Sequence, residues 1–411
     1  MNGTKLIGPF KQLLTMADLP LEGALADDSL KIVSDAGLLI ENDRIQSVGT
    51  FENLFHDNEL AAVEEISSPM VCLPGFIDCH THICFAGSRA RDYAMRNAGK
   101  SYLEIAKAGG GILESMRKTR VASEADLVAG LAQRAHRHLN EGVTTCEVKS
   151  GYALNVAGEL KMLRSIRKVN DEYRTDLVST CLAAHTLPAD FSGTPSEYLR
   201  HISTALLPEI RKLDLANRVD IFVEESAFTV DEARAYLQTA KQMGFSLTMH
   251  VDQFTAGSSL LAVELEAVSA DHLEASTEKE IAALAASNVV CVVLPGASLG
   301  LGCAFAPARN LLDKGASLAI ATDWNPGSAP MGDLLMQAAV LAASEKLTTV
   351  ETFAAITFRA AAALELRDRG KLQQNMLADF VAFPCDDYRE ILYHQGKLKP
   401  VSVWKNGAAF R

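Results

Sequence analysis

Apolar residues recur along the chain in short runs of strand length, most followed by a longer amphipathic stretch. The runs are VCLPGFIDCHTH, VTTCEVKSG, LVSTCLAAH, VDIFVEESAF, FSLTMHVDQF, AVSADHLE, NVVCVVLPGA and LAIATDW. Residues 124–140, 229–243 and 277–286 lie between such runs with apolar positions at helical spacing, so strands and helices alternate. A β-then-α alternation implies parallel strands. Eight such units predict a closed (β/α)8 barrel, an α/β fold whose reactive groups gather at the C-terminal ends of the strands.

The two ends of the chain read differently. From Leu38 to Val48, two short apolar runs flank a polar turn at Asn42-Asp43, the pattern of a hairpin. The C-terminal segment repeats that style with ADFVAF and then KPVSVWKNGAAF around Asn406-Gly407. A small β-sandwich-like domain made by both ends is therefore expected, from residues 1–70 and 367–411, with a barrel over residues 71–366 between them.

Composition narrows the class. With 48% hydrophobic and 22% charged residues, a chain of 411 residues can bury a large core. A net charge of −12 gives no counterion-release advantage on nucleic acid or an anionic membrane, so the expected partner is a small molecule. No apolar run reaches membrane-spanning length and no signal peptide opens the chain, which predicts a cytoplasmic protein. The eight cysteines form no CxxC pair and are expected as buried, reduced thiols. Cys79 is assigned to packing, because adjacent strand residues face opposite sides and His80 follows it.

The candidate chemistry falls at the ends of the strand-like runs. His80 and His82 close the first run two residues apart, so both imidazoles share one face of an extended chain and supply half a metal site. An isolated HxH is more often an ordinary core or surface pair. Here, however, His185 ends the third run, His250 the fifth, His272 the sixth and Asp323 the eighth, which brings five histidines and an aspartate to one rim. His136, His138 and His201 fall instead on helical stretches and are expected to be exposed. A metal-binding structural or carrier protein would keep HxH and His250, but would not need His272 and Asp323 at the same mouth.

This placement resembles the amidohydrolase superfamily, and longer motifs are similar to those of the imidazolonepropionase family. They are FAGSRARDYAMRNAGKSYLEIAKAGGGI, EVKSGYAL, AAHTLP, VSADHLE and ATDWNPGSAP, spread over nearly the whole chain. The resemblance implies one divalent metal or iron ion, zinc or iron, held by His80, His82, His250 and Asp323. A second, bridged metal is not expected. The fourth run offers Glu224 and Glu225 but no Lys, and either glutamate could equally neutralise an inner His or Arg.

The same resemblance implies a substrate, 4-imidazolone-5-propanoate, hydrolysed at its lactam bond during histidine degradation. Arg89 and Tyr102 would bind the propanoate, Tyr152 and His185 the ring, and Asn325, Gly327 and Ser328 the polar edge. Asp323, His272 and Gln253 would serve catalysis. Gln253 stands where some family members carry Glu, and an amide is no general base, so proton abstraction falls to Asp323 or His272. A homodimer is implied by the family alone. The alternative is a related cyclic amidase or deaminase acting on another acidic heterocycle.

Overall fold

The computed structural model describes residues 3–410, apart from the side chains of Tyr102, Leu103 and Ala106. Eight parallel strands follow one another around a barrel in chain order: Phe76–Asp78, Val143–Lys149, Asp176–Ala184, Arg218–Ile221, Ser246–Val251, Ser269–His272, Val290–Val293 and Ser317–Ile320. They are called here the first to eighth strands. The eighth closes onto the first just beyond their ends, where Thr81 pairs in parallel with Trp324. At that seam the Asp323 N–H donates to His80 O at 3.1 Å and the His82 N–H to Trp324 O at 3.0 Å.

The outer helices start and face inward for local reasons. Helix Glu124–Asn140 opens on a capping box in which Ser123 and Asp126 satisfy each other's backbone N–H, and Leu127, Leu131, Ala135 and Leu139 form its buried stripe. Thr229 and Glu232 do the same for helix Val230–Gln242, which buries Ala233, Tyr236, Leu237 and Ala240. His138 lies on the buried stripe of the first of these helices. It is not exposed, contrary to expectation: its Nε2 stands 3.1 Å from Asp78 Oδ2, and its ring meets Trp324 edge-on.

The chain ends build one further sheet of eight strands. Thr4–Leu14 pairs with Ile32–Glu41, which turns back through Asn42-Asp43 into Arg44–Thr50. The first half of Thr4–Leu14 pairs with Ala62–Glu65 and the second half with Val71–Pro74, so this strand serves two neighbours and splays the sheet. Phe380–Phe383, Ser402–Lys405 and Ala408–Ala409 complete it. Its core is aromatic: Phe380 stacks on Trp404 at 4.6 Å, and Phe10 meets both rings edge-on.

The first apolar run of the sequence is shared by both sheets. Val71–Pro74 pairs with Phe380–Phe383, whereas Phe76–Asp78 is the first barrel strand. Gly75 stands at the changeover, where any Cβ would overlap Thr144. Lys405 ties the sheets together further on, with its Nζ 2.8 Å from Asp176 Oδ2 and 2.7 Å from Asp379 Oδ2. All eight cysteines are free; seven are buried, and Cys303 is exposed. No helix among the described residues is long and apolar enough to cross a membrane.

Candidate metal centre

Three strand ends bring four metal-type side chains to one point at the barrel mouth. His80 and His82 follow the first strand, His250 lies in the fifth, and Asp323 follows the eighth. His80 Nε2 is 3.2 Å from His82 Nε2, which is 3.3 Å from His250 Nε2. Asp323 Oδ1 lies 3.3 Å from His82 Nε2 and 3.6 Å from His80 Nε2. Asp323 and His272, the last residue of the sixth strand, both adopt left-handed backbone, with φ of 50° and 88°. For non-glycine residues such conformations cost of order 1–3 kcal/mol each and concentrate at functional sites.

Behind the imidazoles stands a second layer of charge. His80 Nδ1 pairs with Asp271 Oδ2 at 2.6 Å, and His250 Nδ1 lies 3.1 Å from Asp220 Oδ1. A ring whose Nδ1–H is held by a carboxylate presents a lone pair at Nε2. Lys149 Nζ reaches Glu147 Oε1 and Asp220 Oδ2, each at 2.8 Å. Around the three imidazoles, four buried carboxylates (Glu147, Asp220, Asp271 and Asp323) therefore face a single ammonium.

The titration behaviour follows from this crowding. Burial and the Lys149 charge press His80 toward neutrality, but its hydrogen bonds to Asp271 and Asp323 outweigh them and lift its pKa to about 9. Burial keeps His82 well below the usual range and takes His250 down to about 3. Asp323 is held well below the usual carboxylate range; burial opposes this, and the bonds from His80 and His82 prevail. Lys149 stays above the ordinary lysine range for the same kind of reason, because Asp220, Glu147 and Asp271 outweigh its burial.

These residues fit a metal ion. Three Nε2 atoms converge at separations of 3.2 and 3.3 Å, and once His80 gives up its proton their lone pairs can bind one cation together. Tetrahedral coordination with bonds of about 2.0–2.1 Å has ligand-to-ligand edges of about 3.4 Å, close to the 3.2 Å between His80 and His82 and the 3.3 Å between His82 and His250. A dication also reduces the surplus of buried carboxylate charge. His80, His82 and His250 form a group able to hold a metal, and Asp323 Oδ1 lies beside His82 and His80.

A cavity of about 620 Å³ opens above this point. His82, His250, His272 and Asp323 lie in its lining together with Arg89, Tyr152, His185, Gln253, Asn325 and Ser328, so the residues singled out in the sequence are brought to one place. His80 is wholly buried beneath it. Gly327 lies against Arg89, where a Cβ would collide with the guanidinium. Tyr102 begins the helix Tyr102–Lys107, and its side chain falls outside the described residues.

Each lining group is held in place by its neighbours. Arg89 Nε donates to Asp92 Oδ2 at 2.9 Å, and the same oxygen accepts the Gly111 N–H at 2.8 Å. Gly110 packs so closely on Asp92 that no side chain fits there, which gives the glycine run a structural purpose. His185 Nδ1 donates to Gly151 O at 3.0 Å, its ring stacks on His82, and burial lowers its pKa to about 4, so it stays neutral. The Asn325 amide donates to Asp323 O and Ser328 Oγ, and its oxygen accepts from Gly327 and Ser328 N–H. Both amide hydrogens are thus engaged within the loop, and Asn325 shapes the loop in place of offering them to a ligand.

Neither glutamate after the fourth strand approaches the imidazoles as a bridge. Glu224 accepts the N–H groups of Phe254 and Thr255 and the Thr255 hydroxyl, which pins the loop carrying Gln253, and Glu225 is exposed. Asp252 faces the barrel wall as expected, accepting from Ser258, Ser259 and Ser276. Asp92, Lys149, Asp220 and Asp271 lie outside the set expected from the sequence, as do Arg96 and Lys100 on the cavity wall. A signal for three of them was present: Lys149, Asp220 and Asp271 are charges inside otherwise apolar strand runs.

A model of the amidohydrolase family matches residues 71–409, which places the barrel and its metal-type donors in that class of hydrolases. An imidazolonepropionase of Myxococcus xanthus is 43% identical over 81% of this chain and 80% of its own. That of Solibacter usitatus is 38% identical over 97% of this chain and 96% of its own. The chain belongs to the imidazolonepropionase branch of the amidohydrolase family. Among solved structures, A. niger ochratoxinase superposes with a TM-score of 0.72 at 16% identity, covering 100% of this chain and 96% of that one. An adenosine deaminase from Xanthomonas campestris with bound zinc superposes with a TM-score of 0.69 at 18% identity, covering 98% and 92%. These two likenesses concern the fold.

Proposed function

We propose that this chain hydrolyses 4-imidazolone-5-propanoate to N-formimidoyl-L-glutamate, a step of histidine degradation, using one zinc or iron ion. The observation that carries the reading is the shared cavity: it is lined by His82 and His250, whose Nε2 atoms converge with that of the buried His80, and by Arg89, whose guanidinium is fixed by Asp92. The first group suits a polarised amide bond, and the second an acidic tail. Branch membership supports the same substrate.

His80, His82, His250 and Asp323 would hold the ion. When bound, it lowers the pKa of water toward about 7 and polarises the lactam carbonyl. Asp323 takes the proton of the attacking water, whose oxygen bonds to the carbonyl carbon. His272, beside His250 with ring centres 5.3 Å apart, stabilises the oxyanion that develops. The ring C–N bond then breaks, the departing nitrogen takes up a proton, and a new carboxylate is left. Arg89 holds the propanoate through charge-assisted hydrogen bonds, while Tyr152, neutral His185 and Gln253 confine the ring.

The test compares freshly prepared 4-imidazolone-5-propanoate with the same ring lacking its tail, with products identified by mass. The expected outcome is N-formimidoyl-L-glutamate from the first and little turnover of the second. Equal rates on both would overturn the substrate assignment in favour of a broader cyclic amidase or deaminase.

A further inference from the structure

One buried charge has no part in holding substrate or in the proton transfers above. Lys149 closes the second strand, is wholly buried, and has its Nζ 2.8 Å from Glu147 Oε1, 2.8 Å from Asp220 Oδ2 and 3.7 Å from Asp271 Oδ2. Asp271 holds Nδ1 of His80 at 2.6 Å, and Asp220 holds Nδ1 of His250 at about the same reach, 3.0 Å. The two carboxylates come from different strands, the sixth and the fourth, and the ammonium comes from a third. We propose that Lys149 is a positioning residue for the metal centre: a single ammonium fixes the two carboxylates that aim His80 and His250, and so sets metal affinity without touching metal or substrate. This inference rests on reading the imidazoles as a metal centre.

The energetics favour a role in aiming over one in stability. An ammonium in a dry interior is costly, and replacing a whole buried ion pair by apolar groups is commonly tolerated, whereas removing the ammonium alone leaves its carboxylates uncompensated. Carboxylates behind ligand imidazoles orient them, and their removal typically costs about 10–100-fold in metal affinity. Here two such carboxylates share one cation. Without it they repel across a medium that screens little, and each draws its imidazole out of register. Lys149 also repels a bound cation, which acts in the opposite direction, but its field reaches the site through the carboxylates that neutralise it. The loss of aim is the larger effect.

Glu147 offers a second handle. Its Oε1 accepts from Lys149 and from Thr180 Oγ1, and it makes no hydrogen bond to an imidazole, so it anchors Lys149 from the far side. Removing its charge while keeping its shape loosens the ammonium and leaves every ligand and every carboxylate behind a ligand intact.

The experiment uses the full-length protein stripped of metal. Zn2+ is titrated against a chelating dye, and Co2+ binding is followed by its visible ligand-field bands, with circular dichroism to check folding. Lys149→Met is expected to weaken Zn2+ binding by about 10–100-fold and to shift the cobalt bands, with unchanged secondary structure. Glu147→Gln is expected to give a smaller loss and shift in the same direction; if Lys149→Met does not fold, Glu147→Gln decides alone. Wild-type binding of one Zn2+ with folded variants that match it in affinity and cobalt spectrum overturns the inference. A wild-type protein that binds no stoichiometric Zn2+ overturns the metal-centre reading, and this inference with it.

Discussion

The backbone N–H of Asp323 donates to the carbonyl of His80 at 3.1 Å, so the hydrogen bond that closes the barrel also sets two metal-type donors side by side. Just below it, Asp78 accepts from the Thr322 N–H at 3.0 Å and from its hydroxyl at 2.6 Å, with His138 on its other side. The seam between the first and eighth strands thus serves closure and chemistry together. Thr322→Val removes a hydroxyl that donates to a buried carboxylate and accepts the Trp324 N–H. A loss of about 2–3 kcal/mol is expected, read as a lower urea midpoint with an unchanged slope.

Arg89→Met should lower kcat/KM by about 10–100-fold, the equivalent of a charge-assisted hydrogen bond of roughly 1.5–3 kcal/mol, and leave metal content unchanged. Asp92→Asn should give a smaller loss in the same direction, because it frees the guanidinium that Asp92 holds at 2.9 Å. Steady-state kinetics with parallel metal analysis checks both.

Gln253 lies in the cavity lining on a loop pinned by Glu224, and its amide can orient the ring but cannot carry a proton. Gln253→Glu should remain active with an altered pH profile, and Gln253→Ala should lose about tenfold in kcat/KM. Full activity in the alanine variant would remove Gln253 from the site.

Metal uptake should release a proton. In the metal-free protein the pKa of His80 is raised to about 9, while His250, at about 3, and His82, held low, are already neutral. Below about 9 a cation must displace the His80 proton, so apparent affinity should rise up to about tenfold per pH unit from 7 toward 9 and then flatten. Calorimetry of Zn2+ binding in buffers of different ionisation enthalpy should report about one proton released at pH 7.

Much of this site was legible because strand periodicity and short ligand spacings are local. His80 and His82 had to share a face, and His250, His272 and Asp323 each ended an apolar run. What stayed hidden depends on contacts between distant segments. Lys149 makes sense only against Asp220 and Asp271 from two other strands, and Asp92 only against Arg89 and Gly111. His138 sits on an amphipathic helix where a histidine suits either face, and its burial is decided by Asp78 and Trp324. The division of the first apolar run at Gly75 follows from pairing with Phe380–Phe383, some three hundred residues away.

The central claim is metal-dependent opening of an acidic imidazolone, and a metal titration of turnover tests it most directly. Protein stripped of metal is given Zn2+ or Fe2+ in increments, and consumption of 4-imidazolone-5-propanoate is followed at each step alongside His250→Ala. The account predicts no turnover without metal, a linear rise that breaks at one equivalent, and no recovery in His250→Ala. Full turnover by the stripped protein, or no turnover by wild-type protein carrying one equivalent of either metal, would contradict it.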